Sequence, residues 1–131
     1  MSMTITDFLL ARIAEDEAAA KAAAAHGRWP SGDWWAEGSW WLEGVEMLCV
    51  GKGSTGADVI AYAYAEPERA HIARHDPARV LAECEAKRRI VELFPDAAQD
   101  GDGWNDAGYS VLRDLAAVYA DHPDYREEWR L

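Results

Sequence analysis

The chain has 131 residues, of which 50% are hydrophobic and 11% aromatic, and its 24 acidic and 13 basic residues give a net charge of −11. This composition can fill the core of one domain over residues 1–131, and it excludes disordered, collagen-like and coiled-coil proteins. The acidic surface disfavours binding to a phosphate backbone, and no uncharged apolar stretch approaches the ~20 residues of a membrane span, so neither nucleic acid nor a membrane is an expected partner.

The N-terminal segment and the two cysteines indicate a cytoplasmic protein. The first residues become acidic too soon for a secretory signal. Cys49 lies in a strand-like apolar run, Cys84 lies on the apolar face of a predicted helix, and the two do not form a CxxC pair. Both are therefore predicted to be buried thiols in a reducing compartment.

A first helix is predicted over residues 6–26, with Thr6 as its N-cap. Seven of the eight residues from Ala18 to Ala25 are alanine, which favours a helix and leaves a thin face that a neighbour can approach closely. The apolar stripe of this helix consists of Leu9, Ile13, Ala20 and Ala24.

Residues 29–65 differ in character, because five of the seven tryptophans lie there among short β-rich runs and glycines. Such runs predict an antiparallel meander. Strands are predicted near 39–43, 45–50 and 57–65, with a further strand at 33–36 as an alternative and a hairpin loop at 52–56.

A short helical turn is predicted from Pro67 to His75. Asp76 then precedes a proline, which pushes it out of the helical region and lets its carboxylate cap the next helix. That helix is predicted to begin at Pro77 and to end near Phe94.

A last helix is predicted over 105–120, and Tyr125 and Trp129 are expected to clamp the C-terminal tail onto the core. The whole order predicts an α+β fold: an N-terminal helix, a small antiparallel three- to four-stranded meander, then two long helices and a short C-terminal turn packed on one face of the sheet. The buried stripe of the last helix is predicted to be Val111, Leu112, Leu115, Val118 and Tyr119.

Two segments and the first helix carry a resemblance to a known family. The segments are His71–Leu81 (HIARHDPARVL), continued by Glu85–Ile90 (EAKRRI), and Tyr119–Trp129 (YADHPDYREEW). Together with Phe8–Ala20 they resemble an uncharacterised family, a domain of unknown function, of small actinobacterial and actinophage proteins. The resemblance implies a cytoplasmic bacterial or phage protein and no catalytic activity.

The tryptophan cluster predicts a protein-binding surface. Neighbouring residues of a strand point to opposite faces, so at least one ring of each adjacent pair should lie off the core. Exposed tryptophan beside acidic residues is typical of a protein-binding hot spot. The alternatives are helices that cover both sheet faces and self-association through the sheet. The predicted binding residues are Trp34, Trp35, Trp40 and Trp41.

Histidines give a second candidate site. His71 and His75 are spaced i and i+4, which places both imidazoles on one helix face and suits a transition metal. With Asp76 and the Asp121-His122 pair, they predict a metal site held by His71, His75 and His122. The alternative is structural: His75 lies at a helix C-terminus, where the dipole favours a partly protonated imidazole.

Lys87 falls within the apolar stripe of its helix and needs either a carboxylate or a route to solvent. Glu17 occupies a similar position on the first helix. A structural ion pair between Glu17 and Lys87 is therefore predicted, with a Lys87 side chain that reaches solvent as the alternative.

The leading prediction is a non-enzymatic, protein-binding accessory protein that uses the tryptophan-rich sheet and needs no cofactor. Its partner is another protein or a second copy of the chain, and a phage-encoded form would modulate a host protein. The alternatives are a small metal-dependent enzyme using the histidines and a nucleic-acid mimic using the carboxylates of 96–128. No catalytic residue is assigned.

Overall fold

The computed structural model describes residues 3–25, 33–38, 46–50, 58–63, 65–94 and 103–131. The chain divides into two compact units, which we call the helical unit (Met1–Glu15 and Cys84–Leu131) and the sheet unit (Asp16–Glu83). The elements in chain order are α1 (Ile5–Ala25), β1 (Trp34–Gly38), β2 (Glu46–Val50), β3 (Asp58–Ala63), α2 (Glu66–Arg74), α3 (Pro77–Glu92), α4 (Gly103–Ala117) and a 3₁₀ turn (Glu127–Trp129).

The first helix begins with a reciprocal cap between Thr4 and Asp7. The Asp7 backbone N–H donates to Thr4 Oγ1 at 3.1 Å, and the Thr4 N–H donates to Asp7 Oδ2 at 3.2 Å. The prediction that Thr6 is the N-cap is wrong, because Thr6 already lies inside the helix and a cap must flank it. The predicted stripe is confirmed, since Leu9, Ile13, Ala20 and Ala24 are all buried.

Large apolar side chains fill the core of the helical unit. Phe8, Leu9 and Ile13 come from α1, Cys84 and Val91 from α3, and Leu112 and Ala116 from α4. The burial predicted for Cys84 is confirmed, with 1% of it exposed.

The predicted stripe of α4 is partly wrong. Leu112 is buried, but Val111 is 36% and Val118 is 72% exposed. Because α4 ends at Ala117, Val118 lies in the turn beyond the helix and no longer follows its periodicity. Ala116 is buried on the inner face instead.

Aromatic packing fixes the C-terminal tail in the helical unit. The Trp129 ring lies 5.1 Å from the Phe8 ring between centroids, and Tyr125 lies 5.9 Å from Phe8 and 5.7 Å from Trp129. Arg113 Nε also donates a 3.2 Å hydrogen bond to the Trp129 carbonyl. The predicted clamp by Tyr125 and Trp129 is confirmed.

The sheet unit contains three antiparallel strands in the order β1-β2-β3. Trp34 pairs with Val50 and Gly38 with Glu46, while an irregularity between Leu48 and Cys49 interrupts the pairing of β2 with β3. The strand predicted at 39–43 and the loop predicted at 52–56 lie outside the described residues.

The predicted α+β fold, with two long helices and a C-terminal turn packed on one sheet face, is wrong. The described chain is predominantly helical, with helices of 21, 9, 16 and 15 residues against strands of only 5, 5 and 6. Among the described residues, α2 is the helix that packs against the strands, whereas the large apolar side chains of α1, α3 and α4 form a core in the helical unit. The described part of that unit contains no strand.

The start of α3 is capped as predicted. The Arg79 N–H donates to Asp76 Oδ1 at 2.8 Å. The same carboxylate accepts a 3.0 Å hydrogen bond from the Trp34 backbone N–H through Oδ2, so Asp76 joins the first residue of β1 to the first turn of α3. Of the helices in the described ranges, none has the length and apolar character needed to cross a membrane.

Candidate functional site

An apolar groove of about 230 Å³ lies within the sheet unit. The alanine face of α1 forms one wall, because the small side chains leave the helix surface recessed. Trp34 of β1, His75 at the end of α2 and the first residues of α3 form the rest. The lining residues are Asp16, Ala19, Ala20, Ala23, Trp34, His75, Pro77 and Val80.

Trp34 is the largest side chain of this groove. It is half-buried, and its backbone N–H is held by Asp76. Its indole Nε1 is shielded from water and has no hydrogen-bond partner among the described residues. Burying such a donor without an acceptor costs about 1–3 kcal/mol, so a tryptophan is not the choice that stability alone would favour here.

The predicted binding tryptophans are described to different extents. Trp34 lines the groove, and Trp35 follows it in β1, with its backbone paired to Cys49. The Trp35 side chain and both Trp40 and Trp41 lie outside the described residues. The alanine run from 18 to 25 indicated a face open to close approach, but no sequence signal identified that face as the wall of a groove.

His71 and His75 lie together at the C-terminal end of α2. Their ring centroids are 4.4 Å apart with 37° between the ring planes, so both imidazoles share one helix face. His75 is the C-cap of α2, and its Nδ1 lies 2.8 Å from the His71 carbonyl oxygen. Both rings are exposed and line a second small cavity with Pro67, Ala70 and Arg74.

His122 belongs to the helical unit and contacts Arg12 there. Arg12 is only 7% exposed, donates to His122 Nδ1 at 2.6 Å and also contacts Nε2 of that ring. It further pairs with Glu15 at 2.9 Å and lies over the Phe8 ring at 5.3 Å. Sequence reasoning missed this buried cation, although its position one turn after Phe8 and Leu9 places it on the apolar stripe.

His71 and His75 lie in the sheet unit and His122 lies in the helical unit, so the three-histidine site stays a prediction. Within the described residues there is no group of three or more His, Cys, Asp or Glu side chains able to hold a metal ion. Asp76, a further ligand candidate, uses both carboxylate oxygens as acceptors for backbone N–H groups. Glu17 lies in the sheet unit and Lys87 in the helical unit, both half-buried, and their ion pair stays a prediction.

The acidic C-terminal residues are partly neutralised by arginines. Glu127 accepts two hydrogen bonds from Arg130, at 2.6 and 3.1 Å, and Glu128 pairs with Arg126 at 3.5 Å. The bond from Arg130 lowers the pKa of the Glu127 carboxyl and raises the pKa of Arg130. This pairing adds nothing in favour of nucleic-acid mimicry, which stays a prediction.

No curated protein and no solved structure matches the chain. The family model of DUF6221, a family of unknown function, matches residues 2–131. The membership in an uncharacterised family that the sequence indicated is therefore confirmed, while the actinobacterial or phage origin stays a prediction. The chain belongs to the DUF6221 family.

Proposed function

We propose that this chain is a non-enzymatic accessory protein that binds another protein through the groove lined by Trp34. The observation that carries the proposal is an apolar groove whose largest side chain is a tryptophan with a buried, unpartnered indole N–H in the described part of the chain. Tryptophan is enriched among the residues that dominate protein-binding energies, and an apolar recess beside it can receive a partner's side chain.

Charge favours a basic partner over a second copy. With a net charge of −11 on each copy, two chains repel one another, whereas a basic protein surface would be attracted and oriented. Asp16 lies in the groove lining itself and supplies a carboxylate beside the apolar wall. The proposed location is the cytoplasm, supported by the buried thiol of Cys84.

The test is capture of the partner from the source cell, followed by binding of the two purified proteins. Trp34→Ala should weaken binding of the purified partner by about 2 kcal/mol or more, the size expected for a hot-spot residue. Association should also slow as salt is raised, because screening removes the attraction between the acidic chain and a basic partner.

Val118→Ala is the matched control, because Val118 is exposed but lies in the helical unit. It should bind like the wild type. Equal losses for the two variants, or a partner that binds Trp34→Ala at full strength, would refute the proposed groove. Light scattering tests whether a second copy of the chain occupies the groove instead. A wild-type dimer that becomes a monomer in Trp34→Ala would assign the groove to self-association.

A further inference from the structure

We propose that His71 and His75 form a two-imidazole site for a late first-row divalent metal cation such as Cu²⁺ or Zn²⁺. The residues are one helical turn apart on α2, and their ring centroids lie 4.4 Å apart. Two imidazoles on one helix face can coordinate the same ion, and imidazole is a ligand that copper, zinc and nickel favour.

The proton position on His75 prepares the ring for a metal. Its Nδ1 lies 2.8 Å from the His71 carbonyl oxygen, and a carbonyl can only accept, so Nδ1 carries the proton. With the Nδ1 proton donated to this carbonyl, Nε2 is the ring nitrogen that faces away from it and can bind a ligand. Metal-binding histidines in proteins are usually held in this way, with the other ring N–H donating to a carbonyl or carboxylate.

The surroundings admit a hydrated cation. Both rings are exposed and border a cavity of about 240 Å³, which leaves space for the water molecules that complete the coordination. The ion would lie near the negative end of the α2 dipole, on a chain of net charge −11. Arg74 also borders the cavity, but its exposed side chain can extend its charge into solvent.

This site differs from the three-histidine set predicted from sequence. It uses neither His122, which contacts Arg12, nor Asp76, whose oxygens accept the Trp34 and Arg79 N–H groups. The metal site does not rest on the proposed protein binding, and its residue His75 borders both the cavity and the groove.

The experiment is calorimetric titration of the full chain, without a polyhistidine tag, with CuCl₂ and with ZnCl₂. One saturable site per chain is expected, tighter for Cu²⁺ than for Zn²⁺. His71→Ala should weaken binding at least about tenfold, because even the loss of a supporting residue costs that much. His75→Asn should do the same, while asparagine can still end the helix.

His122→Gln is the control, because His122 contacts Arg12 in the helical unit and is not part of the proposed site, so the affinity should stay unchanged. Thermal unfolding gives an independent readout: Zn²⁺ should raise the Tm of the wild type and not that of His71→Ala, since a ligand that binds the folded state stabilises it. His71 is an exposed helical residue, so alanine there keeps the fold. Copper binding to His71→Ala at wild-type strength, or no saturable binding by the wild type, would overturn the site.

Discussion

The two units use the same helix for opposite purposes. In the helical unit, α1 contributes Phe8, Leu9 and Ile13, large side chains that are fully buried. In the sheet unit, it contributes Ala19, Ala20 and Ala23, which line an open groove. A change from large to small side chains along one helix thus separates a region that is packed for stability from one with room for a ligand.

Buried polar groups occur in both units. The buried cation of the helical unit, Arg12, is surrounded by His122, Glu15 and the Phe8 ring. The buried indole N–H of Trp34 in the sheet unit has no partner in the described part of the chain. Arg12 Nε is also buried without a partner in the described residues, so the Trp34 indole N–H points to a binding surface only together with the open apolar groove beside it.

The largest expected effect is the loss of the aromatic clamp in the helical unit. Trp129 is 3% exposed and packs on Phe8 and Tyr125, so Trp129→Ala should lower the free energy of unfolding by about 3–5 kcal/mol. Urea denaturation measures it. The exposed Val118→Ala should change stability by less than about 0.5 kcal/mol. A clamp variant as stable as this control would show that the tail does not belong to the core.

A methyl group at Gly108 should have the next largest effect. A Cβ there would lie 2.5 Å from Phe94 Cδ1, 2.8 Å from Cγ and 3.1 Å from Cβ. Because Cγ and Cβ are among these atoms, rotation of the ring alone does not relieve the contact. Gly108→Ala should therefore lower the free energy of unfolding by about 1–3 kcal/mol, although alanine is the better helix former. The double variant with Phe94→Leu should recover part of this loss in the same denaturation assay. A Gly108→Ala variant that is more stable than the wild type would contradict the close packing of Gly108 against Phe94.

A smaller effect is expected at Asp76 in the sheet unit. Asp76→Ala removes the cap of α3 and the acceptor of the Trp34 backbone N–H. It should lower the free energy of unfolding by about 1 kcal/mol. Asp76→Asn keeps one oxygen for capping and should cost less. Hydrogen exchange at the Trp34 and Arg79 amides reports each bond separately, and unchanged protection of both amides in Asp76→Ala would contradict the assignment.

The smallest effect is electrostatic and lies in the tail. The bond from Arg130 lowers the pKa of Glu127, so its contribution to stability is present above the unfolded-state pKa and is lost as the pH falls through the folded-state pKa. Both groups are fully exposed, so the change in stability should be small. Arg130→Gln should raise the Glu127 pKa toward its ordinary value in an NMR titration, and an unchanged pKa would exclude the pair.

Local signals in the sequence were sufficient for most of the helices and for the cap of α3. The α1 stripe, the Asp76 cap and the contact of Tyr125 with Trp129 each depend on residues close in sequence or on a clear periodicity. The packing of both rings on Phe8 does not. The Thr6 cap and the burial of Val118 failed because helix ends are decided by hydrogen bonds only a residue or two apart.

The arrangement of the elements could not be predicted in this way. Which helix meets the strands depends on side chains distant in sequence, and periodicity gives only the apolar face and not its partner. The groove depends in addition on the absence of bulk along α1, a property that no motif records. The shared face of His71 and His75 could be predicted because i and i+4 spacing fixes it, whereas no such local rule bears on His122.

Site-specific photo-crosslinking in the source cell can show whether the groove lined by Trp34 binds another protein. A photo-crosslinking amino acid is placed at position 19, in the groove, and in a second sample at position 118, on the helical unit. One adduct with a basic protein is expected from position 19, and Trp34→Ala should abolish it. No such adduct is expected from position 118. The same adducts from both positions, or an adduct that survives Trp34→Ala, would contradict binding at the groove.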